Sequence, residues 1–122
     1  MSSINTQESK APKAYRDMII DAGASDIVYT AAISGVAANF LGPSIQAMGI
    51  TEEMLKSKKK VDFGEELTAH KDEAKAWATI WSAGQGVTNI SNSPSVSDLV
   101  SELKKDFKTA IEEQVKYLEV YK

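Results

Sequence analysis

Cysteine is absent from this chain of 122 residues. That excludes a disulfide framework and thiolate metal sites, and it makes a reducing cytosol the default compartment, so a cytoplasmic protein is expected. Histidine occurs once, as His70 in the charged stretch AHKDEA. With no evident partner it reads as an exposed spectator rather than a base or a ligand. Long apolar runs are missing too: nothing approaches the roughly 20 residues of a membrane span. The opening MSSINTQESK has no apolar core segment, so neither a membrane nor a secretory signal is expected. Positive charge is not in excess, since 14 basic residues face 17 acidic ones for a net charge of −3. Nucleic acid, which demands a concentrated basic face, is therefore not an expected partner. The run Lys56, Lys58, Lys59, Lys60 is short and closely followed by Glu65 and Glu66, and it reads as a solvated loop.

What is present suffices for one domain: 43% of the residues are hydrophobic, enough for a core at this length. Residues 1–9 are polar and without period, which reads as a disordered arm or a cut end; residues 10–122 carry the domain. From Pro12, the residues Ala14, Tyr15, Met18, Ile19 and Ala22 recur at helical spacing, with Gly23 as the expected left-handed stop. Asp26 to Ala32 (DIVYTAA) is β-branched and aromatic and reads as a strand; after Gly35, Val36 to Leu41 reads as a second extended piece. Pro43 suits the first turn of a short helix over Ser44 to Met48, closed by Gly49. Thr51 suits the cap of another, with Glu52 and Glu53 at its positive end. Lys56 to Glu66 reads as a loop, and Leu67 to Trp81 as an amphipathic helix. Ser95 with Asp98 caps the last helix, in which Val96, Leu99, Val100, Leu103, Phe107, Ala110, Ile111, Val115 and Leu118 keep the period. Its expected length is roughly 22 to 27 residues, about 35 to 40 Å, with Glu112 and Lys116 placed for an i,i+4 pair.

The stretch that draws most attention is Trp77 to Val87 (WATIWSAGQGV), which holds both tryptophans and two of the seven glycines. Gly84 and Gly86 allow positive φ and close approach on either side of Gln85, whose amide both donates and accepts hydrogen bonds. That pattern builds a ligand-facing turn. The plainer alternative is that Gly84 only ends a helix and that Trp77 and Trp81, one turn apart, anchor a core. Autonomous chemistry is otherwise scarce. Glu65 with Glu66 and Asp72 with Glu73 are sequence neighbours that diverge on a helix, so no metal is expected. No nucleophile elbow, phosphate loop or dinucleotide fingerprint occurs. Taken alone, the residues establish a helix-rich α+β domain with one candidate ligand-facing turn.

Three pieces in order, Asp21 to Ile50, Lys75 to Val87 and Ser95 to Phe107, resemble the C-terminal third of the nitronate monooxygenase family, formerly the 2-nitropropane dioxygenases, which is similar to the flavin-dependent enoyl-acyl carrier protein reductases. The signatures are IVYT, GVxANFLxPSI and WSAGQGV, and the likeness extends from about Thr6 to Phe107. It implies a C-terminal fragment of an FMN-dependent TIM barrel, with a short strand or hairpin lid segment and a long C-terminal helix. The activity implied is oxidation of alkyl nitronates by molecular oxygen to carbonyl compounds and nitrite. It also implies that Ser82, Gly84, Gln85 and Gly86 face FMN and that Val36, Asn39 and Phe40 belong to the cover over the substrate, a small nitro compound or nitronate.

This chain departs from the family in ways that matter. A TIM barrel needs about 250 residues, so the barrel strands, the loop for the FMN phosphate and the family's histidine base would lie outside this chain. Ala31 and Ala37 stand where the family often has an acidic residue and a proline. Three readings follow: a family member inactive alone, a subunit completing a barrel supplied by another chain, or a non-enzymatic helical interaction module. Helices shaped to cover a barrel, without that barrel, give a reason to oligomerise.

Overall fold

Ile27, Val28 and Thr30 are β-branched, and the tight turn that follows them needs a residue with φ near +80°, which Gly35 supplies. The result is an antiparallel hairpin of β1 (Ile27–Thr30) and β2 (Ala38–Leu41), with Ile27 opposite Leu41, Val28 opposite Phe40, Tyr29 opposite Asn39 and Thr30 opposite Ala38. Around it, the computed structural model describes residues 2–57 and 78–122. They form a small, helix-rich α+β fold in which helix α1 (Lys13–Asp21) precedes the hairpin and α2 (Gly42–Ala47) and α3 (Glu52–Lys56) follow it; α4 (Val96–Val120) ends the chain. No helix among the described residues is long and apolar enough to cross a membrane.

The pleat of the hairpin sorts its side chains between two apolar clusters. Val28 and Phe40 face the first, with Ala32, Ile33, Ile45, Ile50 and Ile80. Ile27 and Leu41 face the second, with Ile19, Ala22, Ala83, Val87 and Ile90. Adjacent residues of β2 thus enter different cores, and the strand divides them. Toward the hairpin tip the second face is uncovered: Tyr29 is 73% exposed, and Asn39 beside it is exposed as well.

Several local signals in the sequence act as expected. Pro12 precedes α1, Pro43 lies in the first turn of α2, and Gly49 takes φ +78° where that helix stops. Thr51 Oγ1 accepts from the Met54 amide at 3.4 Å, and Ser95 Oγ accepts from the Asp98 amide at 3.1 Å. Helix α4 has 25 residues, within the expected span. Others differ. Gly23 is not a left-handed stop; its φ is −107°, and its amide donates to Asp26 Oδ2 at 2.7 Å to open a short 3-10 turn, because the aspartate offers a local acceptor. Glu112 lies 3.8 Å from Lys108 rather than pairing with Lys116. Lys56 belongs to α3 and not to a loop. The remaining loop residues from 58, His70, and the expected helix from Leu67 up to Trp77 lie outside the described residues.

The first residues are no free arm. Ser2–Asn5 form a 3-10 turn, and Asn5 and Thr6 are buried. Asn5 Nδ2 donates to the Asn92 carbonyl at 3.0 Å, and the Gln7 amide donates to the Pro94 carbonyl at 3.0 Å. Both oxygens of Glu8 then accept from the Val96 amide, at 3.1 and 3.0 Å. That amide is an orphan donor at the positive end of α4, so a carboxylate is well placed there. The ties are polar and backbone-directed, which an apolar period cannot reveal.

Candidate functional site

The two segments singled out in the sequence meet in space. Ser82 forms an antiparallel bridge with Phe40, and the Leu41 amide donates to the Trp81 carbonyl at 2.8 Å. Residues 80–83 therefore run as an extended flank beside β2. This corrects the expectation that the helix continues to Trp81: Ala78 and Thr79 are helical, whereas Ile80 and Trp81 are not. The physical reason lies in Ser44, a buried residue of α2 whose hydroxyl donates to the Leu41 carbonyl at 2.7 Å and accepts from the Trp81 amide at 3.1 Å. One side chain thereby ties the last residue of β2, the helix that follows and the extended flank. Sequence reading missed Ser44; the only signal was a serine inside GPSI, directly after the strand.

Trp81 is fixed from the other side by α1. Its ring stacks on Tyr15 with centroids 4.9 Å apart and planes at 16°, and the Tyr15 hydroxyl donates to the Ser82 carbonyl at 2.6 Å. Trp81 is thus a packing anchor, in line with the plainer alternative for that residue. Trp77 lies outside the described residues. Tyr15 was read only as part of the apolar face of α1, but it holds the first residue of the turn as well. Its pKa is raised above the ordinary 10.0, chiefly because burial disfavours the phenolate, with the hydrogen bond to Ser82 acting in the opposite direction.

A phenol whose folded pKa lies above its unfolded one favours the fold most while it is protonated in both states. Its contribution is complete below the unfolded pKa, near 10, and is lost as pH rises through the higher folded value. Tyr15→Phe is therefore expected to flatten the fall in melting temperature between about pH 9 and about pH 11 relative to the parent chain. Thermal melts recorded by circular dichroism across that range check it, and an unchanged slope would show that Tyr15 does not govern the alkaline limb.

The turn itself adopts another conformation than its glycines suggested. Gly84 has φ −104° and precedes a 3-10 turn, Gln85–Asn89, in which the Gln85 carbonyl accepts from Thr88 Oγ1 at 2.6 Å. Positive φ is confined to Gly35 and Gly49 among the described glycines. Close approach is another matter: a Cβ built on Gly84 or on Gly86 meets no heavy atom within 4 Å among the described residues. Ser82, Gln85 and Gly86 are exposed, Gly84 is partly so, and the Gln85 side-chain amide makes no hydrogen bond among the described residues. Val87, two residues after Gln85, is fully buried and anchors the turn to the second core.

The predicted covering residues divide. Val36 is 72% exposed in the hairpin turn and Asn39 is exposed on β2, so both can meet a ligand. Phe40 cannot in this arrangement: it is 7% exposed and packed in the first core, because alternation along β2 turns it inward when Asn39 points out. It contributes to the site through its backbone bridge to Ser82. Tyr29, across from Asn39, joins the exposed face of the hairpin and was not singled out in the sequence.

Two grooves among the described residues lie elsewhere. One groove of about 340 Å³ is lined by Val28, Gly42, Ile45, Gln46, Ile50 and Leu55 among others, and another of about 320 Å³ runs between Asn5, Asn92 and the first turns of α4. Neither includes Ser82 to Gly86 or Val36 to Phe40. Among the described residues no three histidine, aspartate or glutamate side chains gather as a metal site. The turn carries neither lysine nor arginine, so it offers an amide and open backbone to a planar ligand but no counter-charge to a phosphate. No family model, no curated protein and no solved structure matches this chain.

Proposed function

We propose that the chain supplies one wall of a flavin site in an FMN-dependent, nitronate monooxygenase-like enzyme whose barrel comes from a complementing chain. The observation that carries this reading is the bridge between Phe40 and Ser82, which sets ANFL beside SAGQG. The two signature segments of the resemblance are thus neighbours although 42 positions separate the bridged residues. FMN, when bound, would supply the redox chemistry by which an alkyl nitronate and molecular oxygen give a carbonyl compound and nitrite. The residues of this chain fit part of that group. Gly84 and Gly86 allow a planar ring to lie against the backbone, and Gln85 offers it a donor and an acceptor. Val36 and Asn39 cover the substrate from the hairpin. The phosphate finds no cation in the turn, and its loop belongs to the complementing chain. A TIM barrel needs about 250 residues, so activity is assigned to the assembly and not to these 122 residues alone.

The test is spectroscopic. The chain with added FMN alone is expected to stay colourless after gel filtration. Mixed with a polypeptide carrying the barrel strands, such as a neighbouring gene product, it is expected to hold FMN and to release nitrite from propionate-3-nitronate. Gln85→Ala should weaken FMN or nitronate binding in that assembly by roughly tenfold, the loss of one net hydrogen bond. Unchanged binding and kinetics would remove Gln85 from the proposal. No yellow species in any mixture would favour the second reading, a non-enzymatic helical interaction module, which draws support from the bare apolar side of α4.

A further inference from the structure

The groove between the first residues and α4 is lined mainly by polar side chains, and its charge is of one sign. Leu99, Glu102, Leu103 and Asp106 line it from α4, three or four residues apart and therefore on one face of the helix. Asn5 and Asn92 line it from the other side. Two carboxylates thus border the groove, and no lysine, arginine or histidine stands among the residues that line it. Neither Glu102 nor Asp106 forms an ion pair or a side-chain hydrogen bond among the described residues.

Two acids on a helix are ordinarily just a solvated face. Asn5 adds an independent observation. It is fully buried, and its Nδ2 donates twice, to the Asn92 carbonyl at 3.0 Å and to Ser93 Oγ at 3.2 Å, which fixes the orientation of the carboxamide. Its Oδ1, equally buried, accepts nothing among the described residues. A buried amide oxygen without a donor is rare in a folded chain and marks a place for a donor from outside it. The ligand chemistry is therefore that of a donor-rich cation. An anion is disfavoured twice, by the carboxylates and because the orphan amide at the start of α4 is already taken by Glu8. A metal ion is a poor match, since only two acids line the groove and its volume of about 320 Å³ far exceeds what an ion needs. An alkylammonium fits better: its head has three donors and no acceptor, and its methylenes suit Leu99 and Leu103. Glu102 and Asp106 stand about 6 Å apart along the axis, so two ammonium groups joined by a short carbon chain can meet both.

We propose that this groove binds an alkyl di- or polyamine, with ammonium groups on Glu102, Asp106 and Asn5 Oδ1 and methylenes along Leu99 and Leu103. Oδ1 is closed off in this conformation, and the turn Ser2–Asn5, whose Ser2 and Ser3 are exposed, is the wall that yields as an ammonium enters. Such binding is independent of the flavin reading.

The experiment is isothermal titration calorimetry of the full chain with spermidine, at low salt so that screening does not mask a charge-driven site. Saturable one-to-one binding with a dissociation constant below about 1 mM is expected. Glu102→Gln combined with Asp106→Asn should raise that constant by roughly tenfold or more, through the loss of two charge-assisted hydrogen bonds. Glu113→Gln combined with Glu119→Gln removes the same charge from residues of α4 that do not line the groove, and should leave the constant nearly unchanged. The side-chain amide signals of Asn5, followed by heteronuclear NMR, should shift in step with the titration, a readout that needs no substitution at this buried residue. Binding weakened equally by the two double variants, or Asn5 signals that stay in place, would mean a diffuse attraction to a chain of net charge −3 and overturns the proposal. The absence of saturable binding below about 1 mM overturns it as well. Magnesium ion binding in place of spermidine with equal affinity overturns the assignment to an ammonium.

Discussion

Leu41→Ala is expected to lower the unfolding free energy by about 2 to 5 kcal/mol, the usual cost of emptying a fully buried leucine site. Leu41 has no exposed surface and sits in the second core with Ile19, Ala83, Val87 and Ile90. With Leu41 they come from three separate parts of the chain, α1, β2 and residues 83–90, so the site can close over a cavity only by moving several segments together. The backbone at Leu41 adds a constraint. Its amide donates to Trp81 and its carbonyl accepts from Ser44, so the residue cannot shift without disturbing the flank that carries the turn. Domains of this size hold only about 5 to 15 kcal/mol in reserve, which makes the substitution a large fraction of the total. Urea titration followed by circular dichroism reads the effect as a lower midpoint at an unchanged slope. A loss below about 1 kcal/mol would mean that the core relaxes freely around the gap, contrary to the dense packing described here.

The same strand shows what sequence could and could not tell. Period and punctuation sufficed where the cause is local. IVYT and ANFL form the hairpin, Gly49 stops α2, and Thr51, Ser95 and Asp98 start their helices with the hydrogen bonds expected of them. Segments whose conformation is set by distant partners were not readable. Trp81 looks helical in the pattern of its neighbours, but Ser44 and Leu41 hold its backbone extended, 37 and 40 positions away in sequence. Asn5 to Glu8 look free until the carbonyls at Asn92 and Pro94 and the amide of Val96 are in place. For the site, Ser82, Gln85, Val36 and Asn39 are exposed. Phe40 is buried, because a short strand with apolar residues on both sides leaves the choice of face to whatever packs against it. The long helix presents the reverse case. Its period announces an apolar face, but no period says whether the chain itself or another molecule will cover it.

Gly42→Ala is expected to destabilise the fold by about 1 to 3 kcal/mol, although it adds a single methyl and would ordinarily favour a helix. Gly42 is the first residue of α2 and is buried. A Cβ built there lies 2.9 Å from the Asp26 carbonyl oxygen and 3.3 Å from Val28 Cγ2. The first of these atoms is backbone at the start of β1, so relief requires the hairpin to separate from α2 rather than a side chain to rotate. That separation would pull Leu41 and Ser44 with it, since they flank Gly42 on either side and are joined by the Ser44 hydroxyl. Gly84→Ala is the matched control. It introduces the same methyl where nothing stands within 4 Å among the described residues, at a φ of −104° that alanine accepts. Melting temperatures of the two variants, measured side by side, should differ by several degrees with Gly42→Ala the lower. Equal melting temperatures would mean that the close contact between β1 and α2 can open without cost. In that event the hairpin would not be held at a fixed distance from the extended flank, and the juxtaposition of Phe40 with Ser82 would lose the rigid support on which the proposed ligand-facing turn depends.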